Sequence, residues 1–233
     1  MVEPSLKNPA QNHIRLTRIQ KLIGRRMLNS KLNKPCFYIT SKADVTQLMA
    51  IRHKLSKSLG AKITSNAFFI RSLGLAAGRY PIMTGTICRD AIRIAEAVNV
   101  GFAVNSPQGL VVPVVKNADR KTLAEIALED KLFTEKARSN RLTLADMEGE
   151  TIALSNLGAY GVDSFLGIVP PPAGAILACG NVVKMIVPRR GSIVVHKVVS
   201  LSLAVDDRIV DGAHAAQFLN CIIEQLEDPR KLI

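Results

Sequence analysis

The chain has 233 residues, of which 48% are hydrophobic, and this length suits one large globular domain or two small ones. Even its most apolar segment, 168–183, is interrupted by three prolines, so the sequence excludes a helix long and apolar enough to span a membrane. The formal net charge of +12 leaves nucleic acid, an anionic surface and a phosphorylated ligand to be weighed as partners.

The N-terminal segment predicts a tail followed by a helix. Residues 1–12 contain little that is apolar and are expected to form a flexible tail or linker stub, which leaves 13–233 as a single core domain. Thr17 and Gln20 fit a capping box, and apolar residues at three- and four-residue spacing continue the helix until shortly before Pro35.

One strand and two helices are predicted next. Residues 37–43 alternate as a strand does. Asp44 is expected to cap a helix that ends at Gly60, and residues 64–79 predict a further helix.

The second half of the chain predicts mainly strands. Residues 105–109 and 188–192 carry the turn residues of two hairpins. Thr122 and Glu125 open a charged helix that runs to about residue 140. The predicted strands are 98–104, 110–115, 152–155, 175–179, 182–187 and 193–203, and the last predicted helix is 211–226. Because helices and strands mix without a regular βαβ alternation, we expect an α+β layered sandwich and not a doubly wound sheet.

Neither the cysteines nor the charge pattern indicates a metal or nucleic-acid site. The four cysteines lie far apart without a C-x-x-C pair, which favours reduced thiols and a reducing compartment, by default the cytoplasm. Between residues 10 and 43 there are eight Lys or Arg and no acid, a pattern that fits a solvated helix face, coenzyme attraction or partner attraction. Aromatic residues make up only 4% of the chain, so nucleic acid is the weakest of the partners.

The most informative pattern lies in the segment 201–213. The run Asp206-Asp207-Arg208-Ile-Val-Asp211-Gly212 resembles the Asp-His-Arg-x-x-Asp-Gly signature of dihydrolipoyl acyltransferases, the core subunits of 2-oxoacid dehydrogenase complexes. Asp207 stands at the histidine position. Further segments resemble the same catalytic domain in order and spacing, namely 23–27, 35–38, 98–104, 109–114, 154–158, 171–177 and 226–230.

The resemblance implies a fold like that of chloramphenicol acetyltransferase, a two-layer sandwich of mixed sheet and helices, built as a trimer with active sites between subunits. It implies assembly into octahedral or icosahedral cages, with other subunits of such a complex as partners. The implied reaction moves an acyl group between coenzyme A and a dihydrolipoyl group, without a metal. No lipoyl-type Asp-Lys-Ala segment precedes residue 13, so we expect the lipoyl group in trans. A processed mitochondrial core would lie in the matrix.

The resemblance places three catalytic positions at Asp207, Asp211 and Ser155. In the family the histidine takes the thiol proton, the residue four positions later helps to organise the site, and the serine of a neighbouring subunit holds the oxyanion. Weak coenzyme A binding is expected of the residues that follow this serine, Asn156, Leu157 and Gly158. Taken without the resemblance, Asp211 fits a helix N-cap and Ser155 fits a strand end.

Asp207 predicts a catalytically inactive or impaired core subunit. A carboxyl group has an ordinary pKa near ~4, against ~6.5 for imidazole and ~8.5 for a thiol, so it is the poorer proton acceptor. The alternative is an active acyltransferase with a remodelled site, in which His214 replaces the base, and a nucleic-acid-binding protein is the remote alternative. Arg25 and Arg26 are expected to pair with Asp207 or Asp211 or to lie in solvent, and Cys36 to be a small buried residue.

Overall fold

The computed structural model describes residues 15–107, 109–189 and 192–233. The predicted tail 1–12 and His13 lie outside the described residues, as does the centre of the predicted turn 188–192. The division into a tail and a single core domain therefore stays a prediction.

Six α-helices are present in the described residues. They are α1 (Arg18–Asn33), α2 (Thr46–Ser58), α3 (Ser65–Arg79), α4 (Leu123–Arg138), α5 (Leu144–Met147) and α6 (Gly212–Glu227), with 3-10 turns at Pro81–Thr84, Gly158–Tyr160 and Pro229–Leu232. Both predicted capping boxes are confirmed, because the side chains of Thr17 and Thr122 accept from the backbone N–H of the third helical residue and the return bonds are also present.

The predicted cap at Asp44 is wrong. Helix α2 begins at Thr46 with Val45 as its N-cap residue, and no side chain caps it. Asp44 still belongs to the strand, opposite Val198. Its carboxylate accepts from the backbone N–H of Thr46, at 3.0 Å, and from the hydroxyl of the same residue, and it also contacts His196 Nδ1.

Ten strands are present in the described residues. They are β1 (Cys36–Asp44), β2 (Thr86–Cys88), β3 (Ala91–Arg93), β4 (Val100–Phe102), β5 (Val104–Ser106), β6 (Gly109–Val111), β7 (Val114–Val115), β8 (Ile152–Asn156), β9 (Ala175–Arg189) and β10 (Ser192–Asp206). The prediction of two strands at 175–179 and 182–187 is wrong, since β9 continues through Gly180 and pairs with β10 on both sides of a register shift between Val199 and Leu201. The predicted strands around 105–109 each divide in two, with β5 and β6 forming the hairpin. The β2–β3 hairpin was not predicted.

Six strands form one mixed sheet in the order β1-β10-β9-β8-β4-β7. Strand β8 is parallel to both β4 and β9, whereas the other pairs are antiparallel. One face packs against the helices in a core that contains Phe68, Phe218, Leu154, Leu177 and Leu203. The other face carries smaller side chains and is covered in part by 169–173. The α+β sandwich expected from the sequence is therefore confirmed.

Thr122→Ala is expected to lower the free energy of unfolding by about 1 kcal/mol, because it removes the N-cap of the long helix α4. The Thr122 hydroxyl oxygen accepts from the Glu125 N–H at 3.3 Å, and the Glu125 carboxylate accepts from the Thr122 N–H at 2.7 Å. Urea unfolding measures the change. Thr122→Ser retains the hydroxyl and should stay close to the parent protein, and an equal loss in both variants would contradict the capping role.

Candidate active site

Strand β10 ends in a turn that is held by an ion pair between a buried acid, Asp206, and an exposed base, Arg208. The Asp206 side chain is only 1% exposed, and it accepts from Arg208 Nε at 2.9 Å and Nη2 at 2.7 Å. Two parallel charge-assisted bonds fix both groups, and the bond to Asp206 raises the pKa of the Arg208 guanidinium. The pair sets the direction in which the chain leaves the sheet.

Asp207 occupies the exposed corner of this turn. Its backbone N–H donates to the Pro35 carbonyl at 3.0 Å, which ties the turn to the segment between α1 and β1. No ion pair joins its side chain to another of the described residues. The backbone of Asp207 is thus anchored while its carboxylate faces solvent or a partner.

Asp211 is the N-cap of α6, as the residues alone allow. Its carboxylate accepts from the His214 N–H at 2.8 Å, and Oδ2 lies 3.0 Å from His214 Nδ1. These two bonds, the backbone one first, lower the pKa of Asp211. The structure therefore brings a carboxylate and an imidazole together, five and eight positions after Asp206.

The Ser155-Asn-Leu-Gly158 segment forms the end of β8 and the turn after it. Asn156 Oδ1 accepts from the Gly158 N–H at 3.0 Å, and the Leu157 N–H donates to the Cys179 carbonyl at 3.1 Å. A Cβ on Gly158 would lie 2.6 Å from the Gly180 carbonyl oxygen, so the turn requires glycine there. These contacts shape the turn, and coenzyme A binding by Asn156, Leu157 and Gly158 stays a prediction.

Ser155 and Asp207 do not meet within one chain. Ser155 is opposite Ala178, which is opposite Ser202, so Ser155 lies two strands away from β10. Asp206, the last residue of β10 and the neighbour of Asp207, lies four residues beyond Ser202, which places Ser155 roughly 16 Å from this end of β10 at ~4.8 Å per strand and ~3.3 Å per residue. A shared site would need the two residues from different chains.

Within the chain, Arg26 does not pair with Asp207 or Asp211, and its side chain is half-exposed. Its Nη2 donates to the Pro171 carbonyl and lies 3.9 Å from Glu150 Oε1. Helix α1 lies against the 169–173 segment, where Arg26 is held by its bond to the Pro171 carbonyl. Lys34 also donates to the Ala173 carbonyl, and burial lowers the pKa of its ammonium group.

Glu150 is a buried acid that no motif in the sequence indicates. It is 7% exposed, and burial raises the pKa of its carboxyl from an ordinary 4.5 to about 7 despite the opposing attraction of Arg26 and Lys34. Oε2 has no hydrogen-bond partner among the described residues and lies against Gly101, where a Cβ would collide with it. Because Gly101 has no side chain, the Glu150 carboxyl fits against it. The negative charge of the ionised carboxyl is poorly compensated there.

A cavity of about 230 Å³ borders the Asp207 turn. Its walls include Lys31, Lys34, Cys36 and Tyr38. Cys36 is half-buried, less than predicted, and burial followed by the nearby Asp206 raises the pKa of its thiol. Among the described residues, no three His, Cys, Asp or Glu are placed to hold a metal ion. Within the same residues, no helix has the length and hydropathy that crossing a membrane requires.

Curated relatives match nearly the whole chain. An acetyltransferase component of the pyruvate dehydrogenase complex from Rickettsia bellii is 34% identical over 219 residues, which are 92% of this chain and 52% of that protein. The chain thus spans about half the length of such relatives.

Solved structures show the same fold. The dihydrolipoamide acetyltransferase of Azotobacter vinelandii has a TM-score of 0.91 and 30% identity, covering 95% of this chain and 93% of that one, and its mechanism has been investigated at a serine, a histidine and an asparagine. The cubic core of a pyruvate dehydrogenase complex gives the same values. Chloramphenicol acetyltransferase, at 16% identity, a TM-score of 0.55 and coverage of 90% and 94%, confirms the predicted fold class alone.

The model of the 2-oxoacid dehydrogenases acyltransferase (catalytic domain) family matches residues 8–233. That span contains every segment on which the resemblance was based, together with the 206–212 turn. The chain belongs to this family of acyltransferase catalytic domains.

Proposed function

We propose that this chain is a core-forming subunit of a 2-oxoacid dehydrogenase complex in which acyl transfer is absent or impaired. The 206–212 turn carries the proposal, because it has the Asp206–Arg208 pair and the Asp211 cap but offers an exposed carboxylate at Asp207. The test is acetyl transfer from acetyl-coenzyme A to dihydrolipoamide, which should stay near background in the parent protein. Full activity would contradict the proposal.

The spacing of the predicted residues supports this assignment. In the Azotobacter protein the serine precedes the histidine by 52 positions and the asparagine follows it by four. Ser155 likewise precedes Asp207 by 52 positions, and Asp211 follows it by four. The serine position is retained, the last position carries an acid in place of the amide, and the base position alone has lost its imidazole.

The proposed chemistry is thiol–thioester exchange. A base takes the proton of the attacking thiol, the thiolate sulfur adds to the thioester carbonyl, and the tetrahedral oxyanion then expels the second thiolate, which takes the proton back. The Ser155 hydroxyl of a neighbouring chain would donate to the oxyanion. Asp207 is a weak base for a thiol, and its charge opposes the anionic thiolate and oxyanion. Substrate positioning can survive while proton transfer fails.

The second candidate is an active enzyme that uses His214. The specific observation in its favour is the 3.0 Å contact between His214 Nδ1 and Asp211 Oδ2, which orients the ring and leaves an imidazole that is 58% exposed. His214→Ala separates the two candidates. It should leave the background rate unchanged if the subunit is impaired, and abolish transfer if His214 is the base.

We predict a homotrimer or a multiple of it. A site that needs Ser155 and Asp207 from different chains requires adjoining copies. In addition, four leucines are each more than half exposed, Leu16 just before α1 and Leu22, Leu28 and Leu32 within it. Sedimentation should give a mass of three times the 25.3 kDa chain or a larger multiple. A well-folded monomer at micromolar concentration would overturn the prediction.

Several finer features follow as parts of the same proposal. A cage of trimers is supported by the fold shared with the cubic core, although its symmetry is left open. Coenzyme A and a lipoyl group supplied in trans would be the substrates, and other subunits of the complex the partners. The compartment stays a prediction, either the cytoplasm or, for a processed core, the mitochondrial matrix.

A further inference from the structure

A second cavity, of about 480 Å³, lies between the C-terminal half of α2 and the loop that leads to α3. Its lining is basic and polar. The basic residues are Arg52, His53, Lys57 and Lys62, and the hydroxyl groups of Thr64 and Ser65 lie at its end. Of the residues that the structure describes, none with an acidic side chain lines it. A volume in the range of ~300–1,000 Å³ is typical of sites for small molecules.

The positive charge of this cavity is not neutralised locally. The sequence contains no Asp or Glu between Asp44 and Asp90. None of the four basic residues forms an ion pair with another described residue. Several cations that share one concave surface repel each other, so an anion placed among them gains attraction without first breaking an existing pair.

The acid that contacts this region is Asp130, and its oxygens are already occupied. Oδ2 accepts from the Thr64 hydroxyl at 2.7 Å, and Oδ1 accepts from Asn66 Nδ2 at 2.8 Å. Asp130 is only 4% exposed, and burial raises the pKa of its carboxyl. Its two hydrogen bonds support the start of α3, and it forms no ion pair with the basic residues of the lining.

The loop that closes the cavity is held in place by its own contacts. The Ser56 hydroxyl donates to the Arg52 carbonyl at 2.9 Å and accepts from the Ile63 N–H at 3.0 Å. Gly60 adopts a φ of +62°, a left-handed conformation that suits glycine, and Ala61 and Ile63 are buried in the core. The concave shape is therefore preformed, which lowers the entropic cost of binding.

The cavity is separate from the Asp207 turn. Helix α3 has 15 residues and is therefore roughly 22 Å long. The cavity lies at its N-terminal end, whereas the 3-10 turn at its C-terminal end leads to Gly85, which packs against Ile209. The Ser155 side chain also points away from the cavity. Neighbouring residues of a strand face opposite sides of the sheet, and Leu154 faces the helical layer, so Ser155 faces the other side.

We propose that this cavity binds a small ligand through two or more phosphate groups. Four basic side chains exceed what one phosphate needs, and the Arg52 guanidinium suits paired contacts with phosphate oxygens. The Ser65 hydroxyl supplies a further donor, whereas the Thr64 hydroxyl already donates to Asp130. This site is independent of acyl transfer and of the residues assigned to it.

Calorimetry with inorganic pyrophosphate at low ionic strength tests the proposal. We expect saturable binding that weakens as salt is added, and binding of orthophosphate at least ten-fold weaker. Lys57→Ala combined with Lys62→Ala should reduce pyrophosphate affinity by at least ten-fold. The matched control is Lys184→Ala with Lys197→Ala, which removes the same charge from two exposed residues of the β9–β10 ribbon and should change affinity by less than about two-fold.

Four results would overturn the proposal. The first is no heat with millimolar pyrophosphate. The second is an equal loss of affinity in both double variants, which would assign binding to net charge alone. The third is equal affinity for orthophosphate and pyrophosphate, which would mean that a single phosphate group is recognised. The fourth is pyrophosphate binding that persists unchanged in the Lys57 and Lys62 variant, which would place the anion elsewhere.

Discussion

Asp207→His is expected to raise the rate of acetyl transfer from acetyl-coenzyme A to dihydrolipoamide by at least about ten-fold, since a positioned base contributes about 10²–10⁴ to such a rate. The turn that would carry the new imidazole is already fixed, because Asp206 binds Arg208 and the Asp207 N–H binds the Pro35 carbonyl. The substitution therefore changes the base and leaves its support intact. Initial rates measured with parent and variant at equal concentration give the result.

Asp207→Asn is the matched control for this experiment. It removes the negative charge that opposes a thiolate but supplies no base, so it should stay near the background rate. If the asparagine variant gained as much activity as the histidine variant, charge repulsion and not the missing base would be the cause of impairment. If the histidine variant transferred acetyl no faster than the parent, the view that one residue limits catalysis would be contradicted.

Local features of this fold were predicted well from the sequence. The capping boxes at Thr17 and Thr122 and the cap at Asp211 depend on residues three positions apart, so a short window contains all the groups that interact. The N-cap of α2 was predicted one residue too early, at Asp44 and not at Val45. Only the pairing of β1 with β10 shows that Asp44 still belongs to the strand.

Contacts between distant parts of the chain could not be predicted. His196 matched no motif, yet its Nδ1 contacts the carboxylate of Asp44 across two neighbouring strands, 152 positions away in sequence. Strand β9 was predicted as two pieces because Gly180 interrupts the β-forming residues, whereas pairing with β10 carries the strand through. In both cases the sheet register decides the outcome, and a single sequence does not contain that register.

The same difference between local features and distant contacts applies to the candidate site. The resemblance supplied Ser155, Asp207 and Asp211, but the roughly 16 Å between Ser155 and the turn follows only from the sheet order and spacing. Glu150 could not be identified at all, since it lies in a Glu-Gly-Glu run typical of an exposed loop. Its burial results from the close approach of Gly101 and the packing of α1, which are tertiary features.

Glu150→Gln is expected to stabilise the protein at pH 8 and to flatten the dependence of its stability on pH. Burial raises the pKa of Glu150 from 4.5 to about 7, so the folded state binds this proton more tightly than the unfolded state does. The stability it contributes is present below pH 4.5 and is lost as the pH rises through 7, a total of about 3 kcal/mol. Glutamine resembles the protonated acid at every pH, so urea unfolding at pH 5, 6, 7 and 8 should show the variants diverging as the pH increases.

Glu148→Gln provides the comparison, because Glu148 is an exposed acid two positions away and should leave the parent's pH dependence unchanged. Equal protein concentration in all samples removes the effect of assembly on apparent stability. An upward shift of the pKa is unusual for an acid near two basic residues. Attraction by Arg26 at 3.9 Å would by itself lower the pKa, and only the loss of hydration at a carboxyl with one unbonded oxygen reverses it. Parallel curves for the Glu150 variant and the parent would therefore mean that Arg26 and Lys34 compensate the charge fully.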